Sequence, residues 1–161
     1  MEHFRQFDSN ILKWLLVEDY LIAFPVCGEG HWWVVFAKYN SRDCTVTLSA
    51  YNSHSSWIPN VNESLLQIET LIHLWNGHSR FLRYNNDNSY GFAITSEVMI
   101  TPSQEEARGC GAHTGAYIYL AAKNMLHTHT INEAFIAKLR VKAVRCLNFY
   151  KGNGIITTVP Q

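Results

Sequence analysis

The sequence has no surplus of either charge: 13 Lys and Arg stand against 13 Asp and Glu in 161 residues. That balance argues against nucleic acid as the main partner, since such proteins carry a basic surplus or patch. Long apolar runs are also missing. Runs such as Leu21–Val26 and Trp32–Ala37 fall far short of the roughly 20 residues needed to cross a bilayer. Cysteine is sparse, and Cys27, Cys44, Cys110 and Cys146 form no C-x-x-C pair. Neither a disulfide framework nor a structural zinc site, which needs four well-spaced ligands, is expected from them. Cys110 and His113 have C-x2-H spacing and His127 and His129 lie downstream, but paired spacing elsewhere is lacking. Residues 1–10 are polar, with Glu2, Arg5 and Asp8, and do not read as a secretory signal. These absences lead to the expectation of a soluble intracellular domain, in cytoplasm or nucleus, with reduced thiols and no metal or cofactor.

What is present is ordinary globular material, 47% apolar and 16% charged, long enough to bury a core as one domain over 1–161. Tyr20–Pro25 reads as a buried strand ended by proline. A turn at Cys27–Gly30 leads to His31–Tyr39, rich in aromatic and β-branched residues and the strongest strand in the chain. After Asn40–Asp43 comes a third strand, Thr45–Tyr51, and short turns suggest antiparallel neighbours. Residues 52–60 read as a polar loop. A helix is predicted from about Asn62, with Leu65, Ile68, Leu71, Ile72 and Trp75 on one face and Gly77 after it. Glu97–Thr101 reads as a fourth strand, Cys110–Leu126 as a central helix, and Glu133 to about Tyr150 as a last helix capped by Thr130 or Asn132. The class is α+β, a small, mostly antiparallel sheet packed against helices. Cys27, Cys44 and Cys146 are expected to be buried or partly buried, and Lys138, Arg140, Lys142 and Arg145 to form a solvated helix face.

Chemistry concentrates at Cys110. A thiol where a helix begins meets the positive end of the helix dipole and free N–H groups, which favour thiolate. Gly109 and Gly111 remove side-chain bulk on either side, so a carbonyl can approach the sulfur. Three residues suit the rest of a nucleophilic site. His31 opens the best strand and is placed to act as base and then acid. Asn52 ends the next strand, where its oxygen can orient the His31 ring. Gln104, on the approach to the helix, offers a neutral N–H₂ donor to an oxyanion. Each of these taken alone is an ordinary surface or turn residue. Trp57, on the loop after Asn52, is a candidate to line the cleft.

The order His31-Trp32, then Tyr51-Asn52-Ser53, then Gln104 with five intervening residues before Cys110-Gly111, resembles the adenain-like cysteine peptidases. That family includes the SUMO- and ubiquitin-like-protein-specific proteases and the adenovirus-type maturation proteases. The resemblance runs from about Trp14 to Leu126. It implies a papain-related fold with Cys110 as nucleophile, His31 as base and acid, and Asn52 as the orienting third member. Gln104 and the Cys110 N–H would then bind the oxyanion, and Trp32 would form a wall beside the histidine. A cleft between Trp32 and Gly109-Cys110-Gly111 would take the small-residue tail of a ubiquitin-like modifier or a polyprotein site, making the partner a protein substrate. The chain departs from the pattern at Asn52, where the family has Asp or Glu, and at Gly109, where it has Asp. Only 30 residues precede His31, so the form is nearer the compact viral and transposon branch, or a catalytic fragment. Two rival readings are an acyl (acetyl) transferase on a related fold, with the basic cluster 138–145 as its acyl-donor site, and a non-catalytic binding module that kept the fold.

Overall fold

The computed structural model describes residues 15–16, 20–82, 91–99, 101, 103–104, 109–126 and 131–152, with backbone alone at 55, 77–82 and 147–152. Strands β1 (Leu21–Gly28), β2 (His31–Asn40) and β3 (Thr45–Tyr51) are followed by a single 3₁₀ turn at Ser55–Trp57 and helix α1 (Ile58–Leu82). Strand β4 (Ala93–Val98) and helices α2 (Cys110–Ala122) and α3 (Glu133–Gly152) complete the order. The strands form one sheet in the order β1-β2-β3-β4. β1–β2 and β2–β3 pair antiparallel, and β3–β4 pair parallel. The class is α+β with a mixed sheet.

Both faces of the sheet are covered, which explains why Trp33–Ala37 is buried continuously and does not alternate. Trp33, Val35, Ala37 and Tyr39 of β2, with Val46, Leu48 and Ala50 of β3, pack on Val61, Leu65, Ile68 and Ile72 of α1 and on Leu15 and Leu16. On the other face Val34, Phe36 and Tyr51 meet Ala116, Tyr117 and Leu120 of α2, backed by Ile131 and by Ile136 of α3. The β2 spine therefore sits between two apolar layers and holds α2 in place.

Several boundaries differ from the sequence reading. β1 does not end at Pro25 and is not fully buried. It is an edge strand, half exposed, where a residue without an N–H is tolerated. The first turn is Glu29-Gly30 alone, and the second is Ser41–Cys44. α1 starts at Ile58, four residues early, because Pro59 falls in the first turn, where no N–H is needed. It also runs past Gly77. β4 starts four residues before the predicted Glu97–Thr101 strand and shares only Glu97 and Val98 with it, and its only part-buried residue is Ile94. Ser49 donates to Glu97 at 2.6 Å, tying the two strands by polar contacts that hydrophobic patterning does not register. The parallel pairing follows from the helix between β3 and β4, a crossover where a short turn would have given antiparallel strands.

α2 stops at Ala122, short of Leu126. Asn124 takes the left-handed conformation (φ 55°), its N–H donates to the Ala121 carbonyl, and the Met125 N–H donates to that of Leu120. This is a Schellman ending with Asn in the glycine position. Asn132 caps α3, its Oδ1 accepting from the Phe135 N–H at 2.9 Å. The Lys138–Arg145 cations are exposed as expected. Cys27, Cys44 and Cys146 are exposed, against the expectation of burial; Cys27 and Cys44 lie on an edge strand and a turn. Thr130, the termini before Leu15 and after Gly152, and residues 83–90 lie outside the described residues.

Candidate active site

The site begins with a turn. Glu29 and Gly30 both have positive φ, 49° and 83°, the type I′ pattern that suits a two-residue hairpin. The turn makes His31 the first residue of β2, opposite Gly28, with its side chain 5% exposed. The β2–β3 register pairs Val34 with Tyr51, so the chain beyond Tyr51 runs alongside Trp33, Trp32 and His31. Asn52 therefore meets His31: Nε2 of the ring lies 2.8 Å from Oδ1 of Asn52.

The local backbone settles which atom is which. Asn52 Oδ1 also accepts the His54 N–H at 3.2 Å, while its Nδ2 donates to the His54 carbonyl at 2.6 Å. A reversed carboxamide would set like against like at both contacts, so the oxygen faces His31. In the neutral ring Nε2 then carries the hydrogen, and Nδ1 keeps a lone pair able to take a proton. Trp57 stacks on the imidazole with centroids 4.9 Å apart and planes 16° apart, and Trp33 stacks at 5.8 Å. The Trp33 indole N–H donates to Ser64 of α1 at 2.9 Å, which anchors this aromatic set to the helix. His54 presents its edge to His31 at 6.0 Å, and its own Nδ1 is paired with Ser56.

Trp32 is not the wall beside His31. Strand alternation sends it to the other face, 42% exposed, where a Cβ on Gly111 would lie 3.8 Å from its ring. The neighbours of His31 are Trp33 and Trp57, and Trp32 instead borders the start of α2.

Cys110 is the first residue of α2 and 7% exposed. Gly109, itself buried, is the N-cap; no side chain caps this helix end and its first turn holds no acid. The first turn of the helix itself therefore sets no carboxylate against the dipole beside the sulfur. The thiol points to the Gly30 carbonyl, one residue before His31, at a sulfur–oxygen distance of 4.0 Å. That contact is weak.

Gln104 joins the cluster through the residue after Asn52. Its N–H donates to the Ser53 carbonyl at 2.9 Å, and Ser53 Oγ donates to its Oε1 at 2.7 Å. The Thr101 hydroxyl donates to the Asn52 carbonyl. From Cys110, contacts run through Gly30 to His31, Asn52, Ser53 and Gln104. These are four sequence-predicted residues with two linkers between them. Trp33, Ser53 and His54 were assigned no role from sequence, although Ser53 lies within the Tyr-Asn-Ser motif.

Other titratable groups sit apart. His113 is 2% exposed, one turn after Cys110, with Nε2 3.5 Å from the Glu133 carboxylate. Burial raises Tyr51 above its ordinary value, and the Glu97 charge adds to this. Burial also raises Tyr117; the Thr101 hydroxyl beside it acts the other way and Tyr51 adds a smaller increase. Among the described residues no group of three or more His, Cys, Asp or Glu is arranged to hold a metal ion, and no helix is long and apolar enough to cross a membrane. No family model matches the chain, and no curated protein matches it significantly.

Proposed function

We propose that the chain is a cysteine peptidase or isopeptidase with the adenain-like form of the papain-related fold. The observation that carries the reading is the His31–Asn52 hydrogen bond, whose polarity leaves the Nδ1 lone pair turned away from Asn52, on a residue whose chain neighbour Gly30 meets a buried thiol at a helix start. In this mechanism Nδ1 of His31 takes the Cys110 proton, and the thiolate attacks the carbonyl carbon of a peptide or isopeptide bond. Gln104 Nε2 and the Cys110 N–H receive the oxyanion. The imidazolium then protonates the leaving amine, and water, activated by the same ring, hydrolyses the thioester. Asn52 orients the imidazolium without a full negative charge, so it stabilises that cation less than a carboxylate would. The surface between Trp32 and Gly111 suits a small-residue tail, as on a ubiquitin-like modifier or at a polyprotein site.

Acyl transfer to another acceptor is the second reading, favoured by the exposed cations Lys138, Arg140, Lys142 and Arg145 on one helix. Vinyl-sulfone or propargyl probes built on ubiquitin, SUMO and related modifiers separate the two. An adduct seen by intact mass in wild type and lost in Cys110→Ala is the result expected for a modifier-specific isopeptidase. Rapid Cys110 alkylation by iodoacetamide with no adduct from any probe leaves an endopeptidase or acyltransferase, which tight coenzyme A binding in calorimetry would decide. Slow alkylation with no adduct overturns both and leaves a non-catalytic module.

A further inference from the structure

Helices α2 and α3 leave a gap between them. It is an apolar groove of about 380 Å³, lined by Gly111, Gly115 and Ala116 of α2 and by Ile136, Leu139 and Ala143 of α3. The glycines keep it open: a Cβ at Gly115 would meet no atom within 4 Å. The exposed thiol of Cys146 also lines it. Its polar groups gather at Tyr119. The Lys142 ammonium donates to the Tyr119 hydroxyl at 3.3 Å and lies 4.8 Å from the centre of that ring, and both residues line the groove. Having accepted from Lys142, the hydroxyl still has its own hydrogen to give. An ammonium and a phenol donor thus stand together, and Arg140 adds a second cation to the lining. Among the described residues no acidic side chain lines the groove.

A cavity of this size, apolar with one cluster of polar groups, has the make-up of a small-ligand pocket. What it lacks narrows the ligand. Beyond the first turn of α2 both helices bond their own N–H and C=O groups, so an extended peptide lying here would bury amides without partners. A hydrocarbon has none to satisfy. A second copy seated α3 against α3 would set Lys138, Lys142 and Arg145, all exposed, against the same cations. We propose that the α2–α3 groove binds a long-chain carboxylate: the hydrocarbon lies between the helices, and the carboxylate accepts from the Lys142 ammonium and the Tyr119 hydroxyl. Neither Cys110 nor His31 takes part, so the site stands whether or not the protein is a peptidase.

The test uses the full chain, sodium decanoate below its micelle-forming concentration, and N-ethylmaleimide, with labelling followed thiol by thiol by peptide mapping. Cys146 lines the groove, whereas the exposed Cys27 and Cys44 lie on an edge strand and a turn and serve as controls. At about ten times its Kd, decanoate is expected to slow Cys146 labelling about tenfold, because only the unliganded form exposes that thiol. Cys27 and Cys44 keep their rates. Butanoate gives no protection at the same concentration, since each buried methylene is worth about fourfold in affinity. Lys142→Met weakens decanoate about tenfold, the worth of one charge-assisted hydrogen bond, and leaves 1-decanol unaffected. Gly115→Leu fills the groove and removes the protection; Ala143→Leu, on the facing helix, takes its place should Gly115→Leu not fold. Cys146 labelling that decanoate leaves unchanged, or equal slowing of all three thiols, overturns the proposal. So does a Lys142→Met loss shared by decanol. Protection of Cys146 that grows with protein concentration in the absence of decanoate assigns the groove to a second copy and overturns it as well.

Discussion

The Trp57 indole lies almost parallel to the His31 imidazole, 4.9 Å away and tilted by 16°. A ring held this way is restrained in both tilt and position, and its face stabilises an imidazolium through cation–π attraction. Under the proposed peptidase chemistry, Trp57→Ala is expected to lower kcat by about tenfold, since roughly 1.4 kcal/mol of lost stabilisation corresponds to that factor. Trp57→Phe should retain most of the rate. Steady-state kinetics on the two variants checks this, and equal losses in both would show that the stack does not act on the ring.

Asn52 tests whether this chain could simply take the carboxylate of its proposed relatives. Its Nδ2 donates to the His54 carbonyl at 2.6 Å, a contact that Asp would turn into oxygen against oxygen. Asn52→Asp is expected to destabilise the fold by about 1–3 kcal/mol, the usual cost of a buried polar group left mispaired. Urea unfolding measures it. Unchanged stability would mean that the His54 backbone does not select the amide.

The buried phenols predict an alkaline limit. Tyr51 and Tyr117 lie 5.2 Å apart, and burial raises both above the ordinary value of 10.0. In the window between the unfolded value and the raised folded value, the unfolded chain has released protons that the native state retains. Stability is thus fully present below about pH 10 and falls as the pH rises from there through the folded pKa values. Thermal midpoints measured from pH 8 to 11 should decline only above that point. Tyr117→Phe should flatten the decline relative to wild type, whatever it does to the midpoint at pH 8.

Glu29 occupies left-handed backbone in the turn that delivers His31, φ 49°, a conformation disfavoured by about 1–2 kcal/mol in most side-chain-bearing residues. Asn is the residue that type I′ turns prefer at this position. Glu29→Asn should stabilise the protein by about 0.5–1 kcal/mol, read as a raised urea midpoint with unchanged slope.

The strand opening at His31 and the helix opening at Cys110 were both legible, because each joins a turn signal to a dense apolar run of definite period. The α+β class followed from the same runs. Legibility failed where polar contacts replace apolar ones. β4 is tied to its neighbour by Ser49–Glu97 and Thr47–Thr95 contacts and shows almost no buried face. It also failed where a period fixes alternation but not what lies opposite. His31 and Trp33 share a face by simple counting, yet Trp57 comes from a 3₁₀ turn whose placement depends on α1. The Ser53–Gln104 hydrogen bond was hidden for the same reason, since the two residues lie 51 positions apart.

The crossover that makes β4 parallel to β3 has a consequence for the chain during its own synthesis. His31 and Asn52, 21 residues apart, are joined by hairpin neighbours and can meet while the rest of the protein is still being made. The thiol meets the Gly30 carbonyl across 80 residues, after α1 and β4. Contacts of such long range close late, once the loop entropy of the intervening chain has been overcome. A ribosome-bound or half-folded molecule thus carries the His31–Asn52 pair without a docked thiol. Under the proposed chemistry, activity switches on with completion of the fold, which gives the nascent enzyme a latency that needs no inhibitory segment.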